Sequence, residues 1–378
     1  MHTQKILKAK KLQEKKASNE AIGRRYFVGR GSALISSLLL GAGCQSIPVG
    51  RNSETYRQGQ AGLLGTKSMV LYFVTHGSSA DTFWAAQNNG WLDFCRAFKV
   101  DGRYIGTKMD GDVGEMRANL DSVLASGGGD GLAIAISNAS MLDEPIRRAI
   151  RRGTPVIAVN VPDFRSEHQR IPYLRYVGGD PFQAGEANAA MALKAFRKLT
   201  GRAPRRSVYL IHVPGVDVLE IRGQGMDKIL KAEGTKFEKL AVTFDPTQTR
   251  EAVRAYLRAH PEVETVHTGS SRVGAWAVQE VRELGKLGNL NKPFKEGSVY
   301  IAGIDIDPEL LRMIVSGDCI GTVDEQPYMQ GWYGAQLLYH WVKYRFLPGQ
   351  NILTGPFVIE DAETARLLID QANNGLRA

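Results

Sequence analysis

A recurrent arrangement in this sequence is a short apolar run that ends in polar or aromatic side chains. Asp81, Phe83 and Trp84 follow the run 68–75, and Asn138 follows 132–136. Arg222 comes shortly after 208–213, and Phe244 with Asp245 closes 240–244. Ser270 and Ser271 follow 263–268, Asp305 ends 299–304, and Asp324 with Glu325 ends 319–323. Carboxylates and amides exchange hydrogen bonds with hydroxyl groups, and Arg offers a rigid donor fork. Aromatic faces cover the apolar C–H side of a pyranose or furanose ring. The mixture suits a small neutral polyol held by a few fixed polar groups in a cleft. Each residue also has a plain structural reading. Phe83, Trp84 and Phe244 suit a core, Asp81 and Ser270 suit helix caps, Asn138 suits a turn, and Arg222 and Glu325 suit a solvated surface. Asp305, following an apolar strand, fits such a reading least well.

Other chemistries lack their residues. The seven histidines form no His-Glu-x-x-His motif and no Cys/His metal spacing. Residues 269–273 begin like a nucleophile elbow, but Val273 stands where the second Gly is required. No phosphate-binding P-loop sequence occurs, and the glycine run 127–131 fails the dinucleotide pattern because Leu132 takes the place of its third Gly. The expectation is a binding protein and not an enzyme, with no cofactor, no metal and no catalytic residue.

The elements that must position these side chains are best defined around 132–162. An unbroken apolar run at 132–136 predicts a strand covered on both faces. Ser137, Asn138 and Ser140 make a polar turn, and 141–151 reads as a helix with Leu142, Ile146, Ala149 and Ile150 on one face. Gly153 ends it, and 155–161 is a second buried strand. This βαβ unit makes the sheet parallel and places ligands beyond the carboxyl ends of the strands. Alternation continues on both sides. Strands are predicted at 68–75, 104–106, 176–178, 208–213, 240–244, 263–268, 299–304 and 319–323. Helices are predicted at 83–98, 112–126, 181–199, 218–232, 247–259, 273–284, 308–316 and 328–344. The fold class is α/β, with two comparable doubly wound, Rossmann-like halves at about 66–161 and 162–325. The last long helix has no strand of its own in the second half and is expected to return to the first.

The chain has 378 residues, enough for two lobes with cores, and a net charge of +9. Residues 1–44 carry nine Lys/Arg and two acidic residues, whereas the remainder has 39 basic and 37 acidic. The body is nearly neutral, so no nucleic-acid partner is implied. Arg24-Arg25 followed by an apolar stretch to Leu40 reads as an export signal and resembles a twin-arginine leader, although Gly23, Val28 and Gly29 depart from that pattern. Leu40-Gly41-Ala42-Gly43-Cys44 resembles a lipoprotein cleavage box, with Gly41 in the usual Leu place, and makes Cys44 the lipidation candidate. Residues 45–65 read as a tether. Cys95 and Cys319 are expected to be buried free thiols.

Together these stretches resemble the type I periplasmic sugar-binding proteins of ABC importers, the ribose/galactose-binding family. The resemblance covers about residues 66–360. It is carried by Val323-Asp324-Glu325-Gln326-Pro327-Tyr328-Met329-Gln330-Gly331, Gly303-Ile304-Asp305, Gly153-Thr154-Pro155-Val156-Ile157 with Asn160, Thr75-His76-Gly77 with Asp81-Thr82-Phe83-Trp84, and Arg222-Gly223-Gln224-Gly225. It implies that Phe83 and Trp84 stack on one sugar face and Phe244 on the other, while Asp81, Asn138, Arg222 and Asp305 bond hydroxyls. Ser270 and Ser271 replace the usual Asn and Asp, and Glu325 replaces the usual Gln. The implied lobes are 66–161 plus 326–352 and 162–325 plus 353–378, joined by a three-segment hinge near 160–163, 324–326 and 350–354. The implied role is capture of a monosaccharide or related polyol by hinge closure, and delivery to an ABC import permease. The implied location is periplasmic, with the membrane touched only through a lipid anchor. An alternative is a periplasmic sensor that passes a sugar or autoinducer-like signal to a membrane receptor. A sugar-responsive transcription regulator is disfavoured, because residues 1–64 hold a leader and tether where a helix-turn-helix would stand.

Overall fold

The computed structural model describes residues 68–377. The chain begins with β1 (Val70–Val74), α1 (Thr82–Ala97), β2 (Asp101–Ile105), α2 (Val113–Ala125), β3 (Gly131–Ile134), α3 (Ala139–Arg151), β4 (Val156–Val159) and β5 (Tyr176–Gly178). It continues through α4 (Pro181–Thr200), β6 (Arg206–Ile211), α5 (Asp217–Ala232), β7 (Lys236–Ala241), α6 (Pro246–Ala259), β8 (Val263–Thr268), α7 (Ser271–Glu283), β9 (Tyr300–Ile304), α8 (Pro308–Ser316) and β10 (Gly321–Asp324). It ends with α9 (Pro327–Tyr344), β11 (Ile352–Leu353), β12 (Phe357–Ile359) and α10 (Ala362–Asn373).

Two six-stranded sheets result, in the orders β11-β5-β4-β3-β1-β2 and β12-β10-β9-β8-β6-β7. All pairings are parallel except β10 with the edge strand β12. Helices cover both faces, so the inner strands are apolar along their length and alternate residues serve different cores. Leu71 and Phe73 of β1 pack with Trp91, Phe94 and Leu338, while Tyr72 and Val74 pack with Leu120 and Leu142 on the opposite face. In β6, Val208 and Leu210 share a core with Val266 and Val278, while Tyr209 and Ile211 face Met226 and Leu230.

One close helix crossing locks each half. A Cβ on Gly90 would lie 1.9 Å from the Tyr328 carbonyl oxygen, and one on Gly331 would lie 2.0 Å from that of Gln87, so only glycine lets α9 seat on α1. The last long helix thus returns to the first sheet, as expected. The matching crossing of α4 and α5 uses Gly185 and Gly225, whose Cβ atoms would lie 2.0 and 2.2 Å from the Arg222 and Phe182 carbonyl oxygens.

Three expectations are corrected. The strand Tyr176–Gly178 pairs with β4, not with the second sheet, so the chain first passes between sheets at Gly179–Asp180 and not near 160–163. Its three short residues carry no signal of which sheet they join. The strand expected at 240–244 is Lys236–Ala241, and Phe244 lies in the following loop. β7 is a half-exposed edge strand, so its apolar content is weaker than that of the residues after it. The short edge strands β11 and β12 and the helix α10 were not anticipated. The other two passes lie between Asp324 and Pro327 and between Leu353 and Phe357.

Cys95 and Cys319 are buried and unpaired, in different cores. Burial pushes both thiols up to about 12. The expected leader, the tether and the lipidation candidate Cys44 lie outside the described residues. Among the described residues no helix is long and apolar enough to cross a membrane.

Candidate ligand-binding cleft

Strand order reverses between β1 and β3 and again between β6 and β8. Loops leaving the carboxyl ends of such strands diverge and open a crevice. The two crevices face one another across a cleft of about 750 Å³ of open space.

The first wall is set by short local bonds. Asp81 caps α1, and its Oδ1 accepts the Phe83 N–H at 2.9 Å. This fixes the opening turn, so Phe83 and Trp84 reach the cleft with rings edge-to-face at 5.0 Å. The His76 ring meets Trp84 at 4.8 Å. Gly77 lies directly beneath the indole, where a Cβ would come 1.9 Å from Trp84 Cδ2. Asp110 Oδ1 accepts the Ser78 N–H at 2.6 Å and joins the wall. Burial raises the Asp110 carboxyl to about 6 and lowers His76 to about 4. Burial also raises Asp81, against the pull of the Phe83 N–H and of Arg272.

The second wall is held by charges from distant segments. Arg222 on α5 is only 5% exposed. It donates to the Gly269 carbonyl at 3.0 Å and pairs with Glu325 Oε2 at 2.8 Å, with Asp305 Oδ2 at 3.9 Å. Burial opposes its charge, but Glu325 and Asp305 more than offset this and hold its pKa above the ordinary arginine value. Burial raises the Asp305 carboxyl well above its usual range; Arg222 counters the shift and Glu325 adds to it. Asp305 has the left-handed φ of 63° and is held there by its N–H to Val323 at 2.8 Å. His212 is lowered to about 3, first by burial and then by Arg222. Phe244 packs on His212 at 5.2 Å and Trp276 at 5.7 Å, with the Arg272 guanidinium 5.1 Å above its ring. Arg272 also reaches across the cleft, 3.6 Å from Asp81 Oδ2.

Beside the cleft a polar network ties the passes between sheets together. Gln330 Nε2 donates to the Glu325 carbonyl at 3.0 Å, and its Oε1 accepts from Gln87 at 3.0 Å and from Asn160 at 3.2 Å. Thr354 Oγ1 donates to the same Glu325 carbonyl at 2.8 Å. Asp324 Oδ1 accepts the Gln326 N–H at 2.7 Å and caps the turn before Pro327, and Asp324 also pairs with Arg377. The carboxylate of Glu325 is thus aimed at Arg222 by its own backbone.

Of the expected site residues, Asp81, Phe83, Trp84, Arg222, Phe244, Ser270 and Asp305 line the cleft. Glu325 does not line the cleft and stands behind Arg222, paired with it. Asn138 is corrected: its Oδ1 caps α3, accepting the Met141 N–H at 3.0 Å, and it does not line the cleft. Asn160, at the end of the adjacent β4, lines it instead. Missing from the expectation were His76, Asp110 and His212. The two histidines stand just beyond the ends of β1 and β6, the first strand of each half, and that equivalence was a usable signal.

Four cleft-lining side chains have a buried polar atom with no hydrogen-bond partner among the described residues: His76 Nδ1, His212 Nδ1, Arg222 Nε and Asp305 Oδ1. Buried polar atoms are normally satisfied, so this concentration beside three aromatic rings is the chemistry of a site that receives a polar ligand.

Residues 71–345 match the family model described as periplasmic binding protein domain. Over 275 residues the chain is 23% identical to the xylose/arabinose-binding protein XylF of Sulfolobus acidocaldarius, covering 71% of this chain and 65% of the relative. The chain thus spans just under two thirds of that relative's length. The crystal structure of an ABC sugar transporter (periplasmic sugar binding protein) from Legionella pneumophila superposes with a TM-score of 0.67 at 26% identity, covering 76% of this chain and 99% of that one. A carbohydrate transporter from Acidothermus cellulolyticus, solved with myo-inositol, gives 0.70 at 23% identity, covering 82% and 100%. The latter shows a common fold. These relatives are solute-binding and transport proteins, not enzymes.

Proposed function

The chain belongs to the periplasmic binding protein family, and from that premise we propose that it is an extracytoplasmic receptor for a monosaccharide or related polyol. Phe83, Trp84 and Phe244 cover the C–H faces of the ring. Asp81, Asn160, Arg222, Ser270 and Asp305 exchange hydrogen bonds with hydroxyls, and Glu325 holds Arg222 in place. The two sheets, each with its helices, act as lobes that close on the ligand about the three passes at 179–180, 325–326 and 354–356. The closed form is handed to the permease of an ABC importer. Export follows from the leader in residues 1–44, and Cys44 is its lipid anchor.

One observation carries this reading: the unpartnered buried atoms of His76, His212, Arg222 and Asp305 converge on a single aromatic-lined cleft. A ligand bearing several hydroxyls, each both donor and acceptor, can satisfy all four. The names of the sugar-binding relatives point the same way.

A thermal-shift screen against pentoses, hexoses and cyclic polyols tests it. A ligand at about 100 times its dissociation constant adds roughly 2.7 kcal/mol, several degrees in melting temperature. A hit that disappears in Asp305→Ala is the expected result. A flat response to every sugar and polyol would overturn the reading.

A further inference from the structure

The amino end of the first sheet, opposite the cleft, carries exposed aromatic side chains. Phe98 is 43% exposed, Tyr344 46% and Phe346 67%. They form one continuous patch. Phe98 stacks on the core residue Phe94 at 4.3 Å and meets Tyr339 at 5.1 Å, Tyr339 meets Tyr344 at 6.3 Å, and Tyr344 meets Phe346 at 5.8 Å.

Cations are set among these rings. The Lys343 ammonium lies 4.7 Å from the Tyr339 centroid and 5.9 Å from that of Tyr344, and the Arg345 guanidinium lies 5.5 Å from that of Trp341. Lys99 is exposed next to Phe98. The nearby carboxylates are already engaged, Asp93 with Arg96 and Asp101 with Arg103. Arg345 also borders a polar depression that it shares with Arg152, the loop Gly127–Gly129 and Asp130, whose carboxylate accepts the Val70 N–H. The surface is therefore aromatic and basic together, a composition suited to the headgroup level of a membrane.

The point of chain entry lies at the same end. The Met69 carbonyl accepts the Asp101 N–H at 2.9 Å, two residues beyond Lys99. The described residues therefore begin at this end of the first sheet, beside the patch.

We propose that this face docks on the surface of a phospholipid bilayer, with Phe98, Tyr344 and Phe346 at the headgroup level and Lys99, Lys343 and Arg345 against anionic headgroups. The inference goes beyond sugar binding, because the face lies at the opposite end of the sheet from the cleft. Its failure would leave the sugar response intact.

The tryptophans give a readout that the leader does not confound. All five lie at or beyond position 84, so residues 1–67 contain none. Full-length protein is mixed with vesicles of phosphatidylethanolamine and phosphatidylglycerol carrying brominated acyl chains. Fluorescence should be quenched, and Trp341→Phe should remove most of the quenching. Phe98→Ser with Phe346→Ser should lower vesicle partitioning at least about tenfold while the sugar-induced thermal shift is retained. Lys343→Glu with Arg345→Glu, which leaves the rings in place, should weaken binding to these vesicles and not to phosphatidylcholine. Absence of quenching, or quenching unchanged in the double-serine protein, overturns the proposal. Self-association that the double-serine change abolishes, without vesicle quenching, would assign the face to a second copy of the chain and equally overturn it.

Discussion

The first sheet lines its side of the cleft with His76, Asp81, Phe83, Trp84 and Asp110, whereas the second contributes Arg222, Asp305, His212 and Ser270, backed by Glu325. Both sheets have the same inner strand order and reverse at the same place. Their walls are nevertheless held in different ways. Asp81 and Asp110 each accept a nearby backbone N–H, from Phe83 and from Ser78. Arg222, Asp305 and Glu325 come from α5, from the end of β9 and from the pass after β10, and they hold one another. The first wall is therefore held by short local backbone bonds, and the second by one coupled set of charges. Loss of a local bond in the first should stay local, whereas loss of one charge in the second should disturb its partners.

The strongest way to break this contrast is Arg222→Ala. It leaves Glu325 and Asp305 buried without their counter-charge, and removing one partner of a buried pair costs about 3–5 kcal/mol. Sugar affinity by calorimetric titration should fall at least about a hundredfold, and the melting temperature should drop by several degrees. Retained affinity would make the second wall a structural device only.

Trp84→Ala probes the first wall. The ring is 8% exposed and flanked by Phe83 and His76. Affinity should fall roughly tenfold through loss of one stacking face. The double variant with Arg222→Ala should be close to additive, and strong coupling would erase the distinction between the walls.

The smallest effect, and the most diagnostic of local positioning, is Asp110→Asn. The folded carboxyl titrates at about 6 against an ordinary 3.8. Between those values the folded state binds more protons than the unfolded chain, so this group's contribution to stability declines as pH rises through that window, and its cost persists above it. His76, lowered to about 4, has the opposite slope, its contribution being lost as pH falls below the ordinary 6.5. Comparison with the unchanged protein at each pH cancels the histidine term. The amide oxygen of Asn can still accept the Ser78 N–H. Differential scanning calorimetry should show the variant gaining roughly 1–3 °C at neutral pH and nothing at about pH 4. A loss at neutral pH would mean that the charge itself, and not its position, holds the loop.

Much of the first wall was legible because its determinants lie within a few residues of one another. An acidic residue two positions before an aromatic pair, at the end of an apolar run, specifies both the cap and the direction of the rings. The same reasoning explains the failure at Asn138. Its identity is right for a cap and equally right for a ligand contact, and in the fold it caps α3 outside the cleft lining. Asn160 stood among the residues that carry the resemblance and within an expected hinge, but not among the expected site residues. Its backbone is left-handed, φ 67°, and its hydrogen bond to Gln330 involves a residue 170 positions away. β5 was misassigned because three apolar residues can pair with either sheet until the register of β4 decides.

The sequence by itself determined the α/β alternation, the doubly wound pairing of halves, the helix caps and the polar and aromatic residues at strand ends. Each depends on periodicity or on neighbours within a turn or two. Only the tertiary structure decided which sheet owns β5, that Glu325 pairs with Arg222 behind the cleft wall, and that His76 and His212 join one cleft. Those outcomes depend on charges and edges brought together from separate segments, where burial makes a contact strong and sequence distance makes it invisible.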